Sequence, residues 1–350
     1  MNAENLRGII LVPGPNLRYY TGVNSMLLER PYLLFIPKDT PPCLVAPTLE
    51  SGPFQESPIQ VQIHSWTDSE GSTHAFEAAI SQLGLAGVWG VDGRTPFSFL
   101  DQLMKFTKPQ FQNAEASLQR IREIKDEQEV KWLKRAASIL SKSFMTIPSM
   151  QNPSMKETQL AGKIAQTIQA NGADTVGTIH VQAGRSSANP HHIASSKKIR
   201  RRESIVIDTT CTIAGYYADI TRTFMIGNDH QFEDTYSKVL EAQIAAIKQS
   251  TAGTEAGAVD HAARESLRRH GLDKYFIHRT GHGLGLEVHE APYIIEDGKE
   301  VLQTNMAFTI EPGVYFPSKM GIRIEDNVIA ASQACPVLTR TLPKEYGWWK

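Results

Sequence analysis

The sequence predicts a mixed α and β protein in two domains: a small α/β domain over residues 1–120 and an α+β domain over residues 121–350. Three observations carry this. Short apolar runs alternate with amphipathic helices in the first third. Longer helices with capping signals come in pairs between strand pairs in the remainder. A chain of 350 residues is long for one domain and comfortable for two.

In the first domain, residues 8–12 form a short apolar strand. Residues 32–37 and 43–46 are apolar runs split by the turn P-K-D-T-P-P, which predicts a hairpin. Residues 61–66 and 88–91 are further strands. Residues 72–83 place Phe76, Ala79, Ile80 and Leu83 on one helical face, stopped by Gly84, and a helix with Pro96 in its first turn runs over 96–106. The boundary is placed at residues 112–125. Asp126 with Glu129 has capping-box spacing and opens a helix with Val130, Leu133, Ala137, Leu140 and Phe144 as its stripe. Ser154 with Glu157 reads as a second capping box, and Asn171-Gly172 closes that helix. Strands follow over 177–183, 204–208 and 216–226. Helices are predicted over 233–249 and 256–270, the latter capped by Thr254, and strands over 307–310, 321–324 and 328–330.

Composition excludes several functions. The 36 basic and 37 acidic residues nearly cancel, so electrostatics favour neither nucleic acid nor a membrane surface. Cys43, Cys211 and Cys335 form no CxxC pair, which suits a reducing compartment. The apolar run at residues 9–12 is too short for a signal peptide, and no stretch approaches the roughly 20 residues of a membrane helix. The expectation is a soluble cytoplasmic protein.

Chemistry concentrates in three segments. Asp208 and Asp219 lie in D-T-T-C-T-I-A-G-Y-Y-A-D, on two strands that a short turn can join with both carboxylates on one face. Thr221 shares Asp219's face and is expected to orient it. His282 and His289 lie in H-R-T-G-H-G-L-G-L-E-V-H-E, where the glycines lack a phosphate-loop pattern and instead let backbone approach a crowded site. Glu311 precedes Pro-Gly, and alternation puts Arg323 with Glu325 opposite Ile322 and Ile324. Taken singly, each acid is better read as a turn residue or a solvated strand end. Four carboxylates and an imidazole gathered together require compensating cations, and two divalent ions would neutralise them and activate water near pH 7.

These motifs resemble the pita-bread metallopeptidases: methionine aminopeptidase, aminopeptidase P and prolidase. The segment 278–290 is similar to the prolidase and aminopeptidase P signature. P-N-L-R-Y-Y-T-G at residues 15–22 resembles the N-terminal domain of prolidases, aminopeptidases P and creatinases. The resemblance implies a pita-bread domain behind a creatinase-like one. It also implies two divalent metal ions (Mn, Co, Fe or Zn, with Mn favoured) held by Asp208, Asp219, His282, Glu311 and Glu325. His191, after Pro190 in A-N-P-H-H, would steady the substrate carbonyl, with His192 as the alternative. His289 would contact substrate, Arg323 would stand near the site, and Glu311 would carry a proton. The substrate would be a peptide with proline second, and the assembly a homodimer. Prolidase leads. Aminopeptidase P, a metal-free creatinase-like C–N hydrolase and a non-catalytic binding module are the alternatives; the last two should have lost ligands. Thr210 stands where the family commonly has Gly. Cys211 reads as a core thiol, and His180, His261 and His270 as structural or exposed.

Overall fold

The computed structural model describes Met1, residues 5–150 and residues 152–350. They form two compact units, Met1–Arg122 and Glu123–Lys350.

In the first unit the strands are β1 (Gly8–Leu11), β2 (Leu33–Pro37), β3 (Cys43–Pro47), β4 (Gln62–Trp66), β5 (Val88–Val91) and β6 (Gln110–Asn113). They make one mixed sheet in the order β4-β3-β2-β1-β5-β6. The expected hairpin is the antiparallel β2/β3 pair. Alternation splits the apolar residues between two cores. Ile10, Phe35 and Val45 pack with Phe76 of the helix Thr73–Leu83 and Phe99 of the helix Phe97–Met104. Leu11, Leu34 and Leu44 pack on the other face with Leu17 and Leu118. Leu17 belongs to a helix over Pro15–Thr21 and Leu118 to one over Glu115–Glu123. The stretch read as a boundary, residues 112–125, is therefore largely structured.

The second unit opens with a helix over Glu127–Phe144 whose cap is the predicted one: Asp126 accepts from Gln128 N and Glu129 N at 2.7 and 2.8 Å, and Glu129 accepts from Asp126 N at 2.7 Å. The next long helix, Glu157–Ala170, departs from expectation. Its N-cap is Lys156, with Gln159 accepting from the Lys156 N–H at 2.9 Å, while Ser154 sits in the left-handed region at φ 79°. Ser154 is thus two residues too early to cap, and Glu157 is free for another role. Likewise the helix over Ala256–Arg268 is preceded by Glu255, not capped by Thr254.

Three strands then pair antiparallel in the order β7 (Thr175–Ala183), β8 (Ser204–Ile213), β9 (Tyr216–Met225). A second sheet has the order β11 (Glu290–Ile294), β10 (Gly281–Gly283), β12 (Ala307–Ile310), β15 (Asp326–Ile329). β13 (Gly313–Phe316) and β14 (Met320–Arg323) form a hairpin. The three-residue β10 and short β11 and β13 escape a reading based on alternation. Helices Glu127–Phe144, Glu157–Ala170, His230–Gln249 and Ala256–Arg268 share one apolar core with the sheets, including Leu140, Ile164, Ile207, Val239 and Val259. No helix among the described residues is long and apolar enough to cross a membrane.

Candidate metal centre

β8 and β9 carry the first two acids. Their register sets Asp208 opposite Thr221 and Thr210 opposite Asp219. Opposed residues of an antiparallel pair share a face, so these four project together. Ile207, Cys211 and Ile220 alternate with them and enter the core. Cys211 therefore points away from the acids; its Sγ donates to Ala136 O at 3.6 Å, and burial pushes the thiol up to about 12. It is a core cysteine.

β10 supplies His282, while Glu311 follows β12 and Glu325 follows β14. Gly281 and Gly283 are needed for close approach, since a β-carbon would overlap Thr309 O at the first and Ala291 O at the second. Asp219, His282 and Glu325 each offer a ligand atom, and these atoms lie within 4.8 Å of one another. His282 Nε2 lies 3.3 Å from Glu311 Oε1 and 4.0 Å from Asp219 Oδ2. Asp208 meets Asp219 and is paired with Arg323, whose Nη2 donates to Asp208 Oδ2 at 2.6 Å. All eight residues expected at the site (His191, Asp208, Asp219, His282, His289, Glu311, Arg323 and Glu325) line one cavity of about 660 Å³.

The electrostatics call for cations. Burial, then the neighbouring Glu325 and Asp208, push the Asp219 carboxyl well above its ordinary range. Burial and Glu311 do the same to Glu325, and burial lifts Glu311 to about 7. Asp219 Oδ1 and Glu325 Oε1 are buried without a hydrogen-bond partner among the described residues. Orphaned buried carboxylate oxygens are costly, and a divalent ion satisfies them. The imidazole is prepared in the same sense. His282 Nδ1 donates to Gly283 O at 3.1 Å, so the Nε2 lone pair faces the acids, and burial and His289 hold the ring neutral. Oxygen donors with one imidazole fit a dinuclear divalent site.

A supporting layer fixes these groups. Thr221 Oγ1 donates to Glu325 Oε2 at 2.6 Å. The expectation that Thr221 orients Asp219 is thus corrected, because cross-strand geometry turns its hydroxyl toward Glu325. Asp219 is held through its backbone by Asn327, which accepts from Asp219 N at 3.0 Å and donates to Asp219 O. Arg323 Nη1 donates to Tyr315 Oη at 2.8 Å, Tyr315 donates to His278 Nε2 at 2.8 Å, and His278 Nδ1 donates to Arg279 O at 2.7 Å. This one-directional chain requires a neutral His278, and burial and Arg323 push that ring down to about 3. Tyr315 and His278 are site residues that the sequence reading misses. His278 opens the segment H-R-T-G-H and Tyr315 lies four residues after Glu311, and that nearness to expected ligands is the signal that finds them.

The His289 ring centroid is 4.2 Å from that of His282. His191 is exposed to the cavity, whereas His192 Nε2 is tied to Glu157 Oε2 at 3.1 Å. His180, read as structural or exposed, lines the cavity and donates through Nδ1 to His192 O at 3.1 Å. His261 is exposed, and His270 pairs with Glu241 at 3.1 Å on the surface.

Residues 131–332 match metallopeptidase family M24, and residues 1–124 match the creatinase/prolidase N-terminal domain. The chain is 35% identical over 329 residues to a probable dipeptidase PepE of Mycobacterium tuberculosis, covering 93% of this chain and 87% of that one. It is 32% identical to a Xaa-Pro dipeptidase of Pyrococcus horikoshii, over 97% of this chain and 95% of that one. The solved prolidase of Thermococcus sibiricus superposes with a TM-score of 0.92 at 34% identity, covering 97% of this chain and 93% of that one. The chain belongs to metallopeptidase family M24. It is a metallopeptidase of the pita-bread fold with a creatinase-type N-terminal domain, and its family implies divalent metal ions, for which Asp219, His282 and Glu325 offer a cluster of ligand atoms.

Proposed function

We propose that the protein hydrolyses the Xaa–Pro bond of dipeptides at a site of two divalent ions, Mn²⁺ favoured, held by Asp208, Asp219, His282, Glu311 and Glu325. The observation that carries this reading is the pair of orphaned oxygens, Asp219 Oδ1 and Glu325 Oε1, buried beside a neutral imidazole. The Xaa-Pro dipeptidase of Pyrococcus horikoshii and the Thermococcus sibiricus prolidase supply the substrate class.

When bound, the ions supply Lewis acidity and lower the pKa of water. The chain does the rest. Arg323 holds Asp208 in place through its Nη2 hydrogen bond. His191 donates to the carbonyl oxygen as negative charge develops on it, an effect worth about 10²–10³ in rate for one such donor. Glu311, at the cavity wall with 14% of its side chain exposed, takes the proton of the attacking water and returns it to the departing prolyl nitrogen. His289 contacts the substrate beside His282. Three free cysteines support a reducing cytoplasmic setting, and a homodimer is proposed from the family resemblance.

The test is hydrolysis of Ala-Pro, Ala-Pro-Ala and Ala-Ala by protein stripped of metal and reloaded with Mn²⁺. Activity on Ala-Pro alone, lost on chelation and restored by the metal, is the expected result. Faster release of Ala from the tripeptide would mark an aminopeptidase P. Activity that survives exhaustive chelation would overturn the metal reading.

A further inference from the structure

The loop that presents His191 converges on one side chain outside the metal ligands. Glu157, in the first turn of the helix Glu157–Ala170, is 0% exposed. A glutamate is rarely fully buried unless its oxygens are satisfied. Here they are. Oε1 accepts from Ala183 N at 2.9 Å, at the end of β7. Oε2 accepts from His192 Nε2 at 3.1 Å, Ser195 N at 3.0 Å and Ser195 Oγ at 2.7 Å. The one carboxylate thus joins the strand that enters the loop to residues on the far side of His191.

Further hydrogen bonds hold the chain around His191. Gln182 Nε2 donates to Pro190 O and His192 O at 2.9 and 3.1 Å, and Asn189 Oδ1 accepts from His191 N at 3.1 Å. The backbone on both sides of His191 and the ring of His192 are immobilised, while the His191 ring has no protein hydrogen bond among the described residues and faces the cavity.

We propose that Glu157 is a positioning residue: it clamps the loop 183–195 so that His191, and not His192, reaches the scissile carbonyl. This rests on the reading of His191 given above. A misplacement of about 1 Å can cost on the order of 100-fold in rate, so such a clamp has a measurable kinetic effect.

The decisive experiment is a double-mutant cycle of Glu157→Gln and His191→Ala on the Mn²⁺-loaded enzyme with Ala-Pro as substrate. Glutamine keeps the size and still accepts from Ala183 N, but turns an N–H donor toward the three donors that Oε2 now satisfies. Glu157→Gln should lower kcat by about 10–100-fold with KM and bound Mn²⁺ unchanged. In the His191→Ala background it should cost nothing further, because it acts through that ring. Ser195→Ala, which removes one of the four bonds, should lower kcat by a few-fold and preserve the melting curve, which keeps the proposal testable if the glutamine variant folds poorly. Wild-type kcat in Ser195→Ala together with full activity in Glu157→Gln would overturn it, as would losses that multiply with that of His191→Ala. A fully active His191→Ala variant would instead overturn the assignment of His191 itself, and the proposal with it.

Discussion

Glu325 and Asp326 are neighbours in sequence and each is 1% exposed, yet their carboxylates meet different partners. Asp326 is saturated. It accepts from Arg222 Nη2 at 2.8 Å, Thr339 Oγ1 at 2.7 Å, Gln243 Nε2 at 2.8 Å and Lys344 Nζ at 2.9 Å. Burial alone would raise its carboxyl, but Arg222 and Lys344 outweigh that and hold it well below the usual range. Glu325 accepts one bond from Thr221, keeps one oxygen without a partner among the described residues and is pushed well above the usual range. The same chain has therefore solved the burial of a carboxylate twice. Around Asp326 it supplied the counter-charges itself, whereas Glu325 and Asp219 have no Lys or Arg within ion-pair distance among the described residues, Arg323 being spent on Asp208. A structural ion pair and a metal ligand differ in that respect, and burial alone does not tell them apart.

The contrast breaks open most widely by substitution. Asp219→Asn removes a charge from the unsatisfied cluster and should lower peptidase activity by about 10³-fold or more. Metal analysis should show fewer than two ions per chain, with no loss of stability in chelated protein. Asp326→Ala should do the reverse. It leaves Arg222 and Lys344 facing a buried gap and should cost about 3–5 kcal/mol in urea unfolding, while metal bound per folded chain is unchanged. Equal stability losses in the two variants would erase the distinction.

Proton linkage gives a second, smaller separation. In metal-free protein the folded forms of Asp219, Glu311 and Glu325 bind protons more tightly than the unfolded chain does. Each such acid makes stability fall as pH rises above its ordinary value and through its folded one. Below pH 6.5 the neutral His278, His282 and His289 oppose this, because their depressed values make stability rise with pH up to the ordinary value of 6.5. Above it only the carboxyls remain, with Glu311 titrating at about 7 and the other two above their ordinary range. Asp326, depressed, loses its contribution only as pH drops below its ordinary 3.8. Chelated protein should therefore melt lower at pH 8 than at pH 6.5, and Mn²⁺ should remove that decline by stabilising the ionised carboxylates. Calorimetry showing a chelated protein that melts higher at pH 8 would count against the unsatisfied cluster.

What the sequence discloses follows the same division. Long amphipathic helices such as Glu127–Phe144 are legible because their stripes and the Asp126 cap are local. The chemical identity of the acids is legible because each sits in a punctuated motif. The contacts of the supporting layer are not, because they are made by register: Arg323, expected near the site from the family resemblance alone, reaches Asp208 across 115 residues, and Asn327 reaches Asp219 across 108. Local spacing can also mislead. Ser154 and Glu157 have the separation of a capping box, yet Glu157 is turned inward onto His192 and Ser195. Likewise Thr221 stands two residues from Asp219 on one face but bonds Glu325, a residue 104 positions away.

The smallest effect sharpens the comparison at the cavity wall, where Thr210 stands in place of the glycine that the family resemblance leads one to expect. Val176 pairs with Cys211 and Ile179 with Thr209, so Gly177 and Thr178 form a bulge opposite Thr210 alone. A β-carbon on Gly177 would overlap Thr210 Oγ1. The bulky and the small residue thus share one space across the strand pair, and the space belongs to whichever strand fills it. Gly177→Ala should destabilise by about 1–3 kcal/mol through overpacking. The same change made in a Thr210→Gly chain should cost almost nothing, which a double-mutant cycle in urea reads as coupling. Since Thr210 makes no hydrogen bond through its side chain to Asp208 or Asp219 among the described residues, metal content should survive in both chains. Additive effects would mean that the bulge, and not the threonine, sets the width of the cavity there.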